Sequence, residues 1–220
     1  MNIQILQPNT HSNINPTTAK AKRTFDIILT LIGLGLTLPI FPLVAIVIKL
    51  DSPGSIFFYQ IRIGRLTPKI STIFRIIKFR TMCTNAESKT GATWATDRDS
   101  RITRVGHFLR KTRLDELPQF FNVLRGDMSL IGPRPERPGF YQKLENEIPY
   151  FADRTYFVTP GITGLAQINQ GYDTCIEDVR SKVSYDHSYA LSLSSTKAWL
   201  QMDCYIIFKT MLVMLTGSGQ

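Results

Sequence analysis

The hydrophobic pattern divides the chain into an oily segment near the start and a mixed, basic remainder. From Ile27 to Ile48 no charged residue occurs, with Asp26 just before the run and Lys49 closing it. Such a run of 22 residues has the length of one transmembrane helix, since about 20 apolar residues cross a ~30 Å hydrocarbon layer. It begins too far into the chain for a signal peptide and lacks a small-residue cleavage site. Two features argue against a straight span. Pro39 and Pro42 lie near its middle, where each removes a backbone donor and crowds the preceding turn. Both flanks are basic, with Lys20, Lys22 and Arg23 ahead and Lys49, Arg62 and Arg65 behind. Positive flanks mark the cytoplasmic side, so a crossing would put one of them outside. A re-entrant hairpin resolves the conflict: each limb of about 11 residues reaches about halfway into the layer. A proline-kinked single span is the alternative.

The rest of the pattern predicts an α+β, mostly helical chain. Residues 1–18 are polar and aperiodic, which predicts a flexible N-terminal arm. Residues 19–220 then form one membrane-associated domain, with the hairpin at 20–50 and a cytosolic part at 51–220. Short strands are expected at Ile56–Tyr59 and Ile70–Phe79, bounded by Ser52-Pro53-Gly54 and Thr67-Pro68. Helices are expected at Arg104–Lys111 and Leu117–Leu124; in the second, Leu117, Phe120, Phe121 and Leu124 share one face, as core residues do. Arg137 to Tyr150 reads as a loop passing into a short amphipathic helix. The segment Trp199–Leu215 is apolar and aromatic but interrupted by Asp203 and Lys209, which fits an interfacial helix or a helix packed into the core.

Composition narrows the class. The 220 residues suffice for one compact core, and 43% hydrophobic with 20% charged residues exclude a disordered chain and a polytopic transporter. The net charge of +9 implies an anionic partner: a nucleic acid, a phosphorylated small molecule or an acidic lipid surface. Its source is local, because Arg62–Arg113 holds thirteen Lys/Arg against three acids, Glu87, Asp97 and Asp99. Cys83, Cys175 and Cys204 are scattered, without the spacing of a disulfide framework or a zinc site.

Asp115-Glu116 is the foremost candidate for chemistry. It follows Arg110, Lys111 and Arg113 and precedes an expected helix start, an environment that keeps a carboxylate ionised and attracts phosphate. An ionised Asp there serves as a nucleophile on phosphorus or a magnesium ligand; alternatively Asp115 only caps the helix. A second candidate is Gly126 to Pro135, in which Pro133 and Pro135 stiffen the backbone on either side of Arg134. A guanidinium so held clamps an oxyanion at small entropic cost, whereas a structural Arg–Asp pair is the plainer reading. Pro160 to Gln167 is a glycine-rich turn without a Walker or dinucleotide pattern. His11, His107 and His187 show no ligand spacing.

Taken together these motifs resemble the bacterial sugar transferases, the monotopic phosphoglycosyl transferases. The resemblance rests on Lys78-Phe79-Arg80-Thr81-Met82, Leu114-Asp115-Glu116-Leu117-Pro118-Gln119, Gly126–Pro135 and Pro160–Gln167 in this order. Asp51-Ser52-Pro53-Gly54, Phe57-Phe58 with Gln60, and Tyr185-Asp186 agree too. It covers Lys22 to Leu215, and the length is similar to the family's minimal catalytic unit without extra membrane helices. It implies a re-entrant helix broken at Leu38-Pro39, on the cytosolic face of the bacterial inner membrane and in contact with its lipid. It further implies that Asp115 attacks the β-phosphorus of a UDP-sugar, releasing UMP, and that a polyprenyl (undecaprenyl) phosphate then takes the phosphosugar. That reaction starts a surface glycan. Mg²⁺ would be held by Asp115 and Glu116, with Lys78, Arg80, Arg113, Asp127, Arg134 and Gln167 around substrate and phosphate. Downstream glycosyltransferases and a homodimer are compatible partners; nucleic acid is not expected.

The chain departs from the family pattern at three places: Thr159 precedes Pro160-Gly161, Asn169-Gln170-Gly171 lacks a following arginine, and His107 replaces a common Lys or Arg. Arg154 and Arg180 are the cations left to substitute. Two rivals remain, a membrane-tethered nucleic-acid-binding protein and an inactive scaffold. Few aromatics accompany the basic stretch for base stacking, and the intact acidic pair speaks against the scaffold.

Overall fold

The computed structural model describes residues 14–67, 69, 71–84, 86, 99–149, 151–170 and 175–216. Most of the expected arm, together with Pro68 and Ile70, lies outside them. Helix α1 spans Pro16–Thr37 and α2 spans Phe41–Asp51, joined by a single 3-10 turn at Leu38–Ile40. Asn15 starts α1, its side chain accepting from the Thr17 N–H at 2.9 Å, and Pro16 suits the first position. The expected arm boundary at residue 18 therefore falls inside the first turn of α1. The break stands at the expected Leu38-Pro39. Pro39 and Pro42 carry no N–H to continue the ladder, and the Thr37 hydroxyl donates back to the Gly33 carbonyl at 2.7 Å, a bond that bends helices.

Strands β1 (Phe57–Leu66) and β2 (Ser71–Phe79) form an antiparallel hairpin, Phe57 opposite Phe79 and Ile63 opposite Ile73. The first strand runs seven residues past its expected end. Its polar residues fit the ladder because Arg62 turns inward, donating to the Pro135 carbonyl at 3.0 Å and to Gln60 Oε1 at 2.6 Å. Helix α3 (Arg104–Lys111) matches expectation; it leads into a 3-10 helix, Leu114–Gln119, and then α4 (Phe120–Arg125). The helix expected over Leu117–Leu124 is thus split, and the change of pitch turns Asn122 and Val123 into the core instead of the expected face. Asn122 is fully buried and acts as a missing strand beside β2: its side chain accepts from the Ile77 N–H at 3.0 Å and donates to the Arg75 carbonyl at 2.9 Å.

Strand β3 (Ser129–Ile131), helix α5 (Pro138–Glu147), strand β4 (Gly161–Thr163) and helix α6 (Leu165–Asn169) follow. The parallel β3–β4 pair sets Ser129 against Gly161 so closely that a Cβ on Gly161 would strike the Gly132 backbone. Helix α7 (Ile176–Ser192), which the sequence pattern did not predict, packs Val179 on Leu144, Ile148 and Phe151. Helix α8 (Thr196–Thr216) buries Trp199, Asp203 and Ile206 and exposes Tyr205, Phe208 and Met211, so the core and interfacial readings each describe one of its faces.

Helix α1 is amphipathic in the inverse sense. Its buried stripe is Thr18, Lys22, Asp26, Thr30 and Leu34, whereas Ile28, Leu31, Ile32 and Leu36 are exposed. A helix in water shows the opposite arrangement. Lys22 and Arg23, counted in the sequence as membrane-flanking charges, both point into the protein. Arg23 donates to the carbonyls of Val123 and Leu124 at 2.6 and 2.9 Å, satisfying the end of α4. Lys22 lies 3.0 Å from Asp203 and 3.6 Å from Asp26. Asp203 also accepts from the Trp199 indole at 2.7 Å and the Tyr189 hydroxyl at 3.0 Å; Asp26 accepts from the Ser129 hydroxyl at 2.8 Å and the Leu130 N–H at 3.2 Å. One buried polar cluster thus joins α1, α7, α8 and β3.

Lys22→Met leaves two buried carboxylates without their cation, a loss of about 3–5 kcal/mol. Thermal unfolding of the purified chain in detergent should show a Tm lower by roughly 10 °C; an unchanged Tm would mean that the cluster contributes nothing to stability.

Candidate active site

The site is built where β2, the 3-10 helix and the loop after β3 meet. Arg113 ends the turn after α3 at φ 59, a left-handed conformation that is uncommon outside glycine and clusters at functional sites. The chain then enters the 3-10 helix, whose first turn carries Asp115 and Glu116, both buried. Asp115 caps neither the 3-10 helix nor α4, since Arg113 and Gln119 hold those positions without side-chain caps. The capping alternative for Asp115 is therefore displaced.

Glu116 gathers the cations. Its Oε1 lies 2.7 Å from Lys78 Nζ at the end of β2, and 3.5 Å from Arg134, held between Pro133 and Pro135. Burial would raise its pKa, but Lys78, Arg134 and Arg113 outweigh burial and hold it well below the usual carboxylate range. Asp115 behaves oppositely. Burial, reinforced by the Glu116 charge, pushes its carboxyl up to about 6 against the pull of Lys78. It is therefore more basic than an ordinary aspartate. Its Oδ1 is buried without a hydrogen-bond partner.

This head group opens into a cavity of about 300 Å³. Glu116, Arg113, Arg134 and Gln167 line one part; the remaining wall is almost wholly apolar and includes Leu117 and Phe120, read in the sequence as ordinary core. Gln167 donates to the Ile162 carbonyl at 3.1 Å.

Of the expected site residues, the structure thus brings together Asp115, Glu116, Lys78, Arg113, Arg134 and Gln167. It places two elsewhere. The Arg80 guanidinium is buried against the carbonyls of Ser52 and Pro53, tying the end of α2 to β2. Asp127 accepts from the Asn122 amide at 3.2 Å, behind β2. Of the two candidate substitutes for the absent arginine, Arg154 is buried 2.6 Å from Asp186, and Arg180 is exposed near Glu177. The basic stretch is likewise turned inward in part, Arg101 pairing with Asp99 at 2.6 Å. A residue that the sequence did not single out for the site is Thr163, whose hydroxyl lies 2.9 Å from that of Thr210 in the cavity wall; only its place in the glycine-rich turn pointed that way.

Among the described residues no three His, Cys, Asp or Glu side chains form a metal cage. The two adjacent carboxylates and the orphaned Asp115 oxygen nevertheless fit magnesium, which takes few protein oxygens and completes its shell with phosphate and water.

The site is thus an acidic pair clamped by cations, with Glu116 in the wall of an apolar cavity, on a body that carries an inverse-amphipathic helix. The chain belongs to the bacterial sugar transferase family, whose model matches residues 17–217. It is 46% identical over 205 residues to a UDP-N-acetylgalactosamine-undecaprenyl-phosphate N-acetylgalactosaminephosphotransferase of Aeromonas hydrophila, covering 93% of this chain and 46% of the relative. Two UDP-glucose:undecaprenyl-phosphate glucose-1-phosphate transferases are also similar. That of Escherichia coli is 40% identical over 191 residues, 86% of this chain and 39% of its own. That of Caulobacter vibrioides is 39% identical over 197 residues, 89% and 70%. The chain thus spans less than half of the Aeromonas and Escherichia relatives.

Lys78→Met should destabilise the protein by about 3 kcal/mol, because Glu116 stays buried and loses its nearest cation. Adding Glu116→Gln should restore part of that loss in chemical unfolding; a double variant weaker than the single one would refute the pairing.

Proposed function

We propose that the protein transfers a sugar 1-phosphate from a UDP-sugar to a membrane polyprenyl (undecaprenyl) phosphate, releasing UMP. The observation that carries this reading is the joined site: a cation-clamped acidic pair suited to phosphate, whose Glu116 lines an apolar cavity suited to a lipid. The relatives' names supply the substrate class, and the 46% identity makes UDP-N-acetylgalactosamine the first donor to assay.

Asp115 is the nucleophile in this reading. A carboxylate oxygen attacks the β-phosphorus; the Asp–O–P bond forms as the bond from that phosphorus to the bridging oxygen breaks, and UMP departs with the electron pair. An oxygen of the polyprenyl phosphate then attacks the same phosphorus and returns the carboxylate. Lys78, Arg113 and Arg134 offset charge as the phosphorus centre becomes crowded, and Glu116 holds Lys78 and Arg134 in position. Magnesium bound by Asp115 and Glu116 would supply further neutralisation of the diphosphate.

The Pro16–Asp51 stretch, 36 residues at mean hydropathy 2.5 in its most apolar window, is long and apolar enough to cross a membrane. A re-entrant path is favoured because both limbs pack on the same body. Lys22 and Asp26 join the cluster beneath α8 and β3, while Phe41, Val44 and Ile48 share a core with Phe79 and Leu109. The break between them would then lie in the bilayer and the rest on the cytosolic side of the inner membrane.

The mechanism is tested by mass spectrometry of the enzyme with UDP-sugar and Mg²⁺ but no acceptor. A phosphosugar adduct on the Asp115 peptide, absent in Asp115→Asn, is expected. UMP release only with both substrates bound, and no adduct, would make the lipid phosphate the direct attacker.

Topology is tested with single cysteines at Lys20 and Ser71 in a chain lacking Cys83, Cys175 and Cys204. Both should be shielded from an impermeant reagent added outside the inner membrane; labelling of one alone would establish a span.

A further inference from the structure

We infer that the cavity between α1 and α8 holds the first isoprene units of the acceptor, which enters sideways from the bilayer with its phosphate leading. The inference rests on the acceptor reading above and adds where, and by which residues, the chain is held. The two parts of the cavity differ in chemistry. At one end stand Glu116, Arg113 and Arg134; beyond them the wall is formed by Leu29 of α1, Phe120 of α4, Ile162 of β4 and Ile207, Met211 and Met214 of α8. A nucleotide or a sugar there would bury hydroxyls and amides against hydrocarbon, at a cost that no partner offsets. Thr163 and Thr210, polar residues in that wall, have their hydroxyls 2.9 Å apart, so each satisfies the other. A ligand that is anionic at one end and hydrocarbon beyond it matches both parts.

The direction of entry follows from α8. Ile207, Thr210, Met211 and Met214 stand at helical spacing along one stripe facing the cavity. Met211 and Met214 are also 51% and 39% exposed, so they form the mouth as well as the wall. Around that mouth α8 exposes Phe208 and Leu212, and α1 exposes Ile28, Leu31 and Ile32. These apolar faces continue the exposed apolar surface of α1 onto α8 beside the cavity. A patch of this kind in water would be a liability; in a bilayer it leads acyl chains to the opening. Methionine at the mouth is unbranched and adaptable, which suits a long flexible chain recognised by its apolar character more than by its shape.

Met211→Trp should narrow the groove and raise the KM for polyprenyl phosphate tenfold or more, leaving the KM for UDP-sugar within about twofold. Met211→Leu, a volume-conserving exchange, should raise the acceptor KM far less than Met211→Trp does. An unchanged acceptor KM in Met211→Trp, or equal changes for both substrates, would overturn the inference. A second measurement uses the unaltered chain in vesicles and a polyprenyl phosphate with a diazirine in its first isoprene units. Adducts are expected on the Leu29 peptide and on 207–214, displaced by unlabelled polyprenyl phosphate but not by phosphatidylglycerol. Adducts confined to other peptides, or equal displacement by phosphatidylglycerol, would refute it. Photolabelling needs no turnover, so labelled α8 without UMP release keeps the groove and removes the transfer reaction. UMP release with labelling elsewhere does the converse.

Discussion

The arrangement depends on the inward-facing polar stripe of α1. Because Thr18, Lys22 and Asp26 find their polar partners inside the protein, the helix must keep that side against the body, and its oily side is left outward. Lys22 and Asp203 are the centre of that attachment. A buried ion pair gives little net stability, since desolvation offsets most of the attraction, but losing one partner is costly. Its main effect is on register: a slip of α8 along α1 would remove Asp203 from Lys22 of α1 and Tyr189 of α7 at once. Ile207 lies one turn beyond Asp203, so the same cluster fixes the wall of the cavity.

The acidic pair shows how two neighbouring carboxylates acquire different properties. Glu116 lies between two cations, which overcome burial and keep it charged; Asp115 lacks so close a cation and rises. Environments that separate the pKa values of paired acids are how one site assigns two roles. Glu116 holds Lys78 and Arg134, and Asp115 is left as the more basic of the two. The stiff Pro133-Arg134-Pro135 segment and the left-handed Arg113 bring the cations in from two other directions.

What the sequence revealed and what it concealed follow from the range of each interaction. The break at Leu38-Pro39 was legible because proline acts on its own turn. Asp115-Glu116 stood out because cations and a helix start lie within a few residues of it. By contrast, Lys22, Arg23 and Asp203 were read as surface or interfacial charges, and composition cannot tell that a lysine near the N-terminus meets an aspartate near the C-terminus. Arg80 and Asp127 belong to recognisable motifs, yet their partners, the carbonyls of Ser52 and Pro53 and the Asn122 amide, assign them to packing. Leu117 and Phe120 have core spacing but line a cavity, since apolar periodicity does not distinguish a filled space from an open one. Helix α7 was missed because its buried face mixes Val179 with Asp186 and Tyr189, a weak hydrophobic signal.

The proposed reaction asks the site to serve a water-soluble donor and a membrane-bound acceptor, both anionic, through one set of cations. Direct transfer would require the diphosphate of the donor and the phosphate of the acceptor together, beside two carboxylates, with Lys78, Arg113 and Arg134 as the cations that line or clamp the site. Like charges at such separations repel strongly where water is scarce. The proposed covalent intermediate on Asp115 would separate the two encounters: UMP would remove much of the negative charge before the lipid phosphate arrives. In that scheme the same cations act twice, and the acceptor approaches through the apolar side. Within the proposed scheme this division favours a two-step reaction over a ternary one.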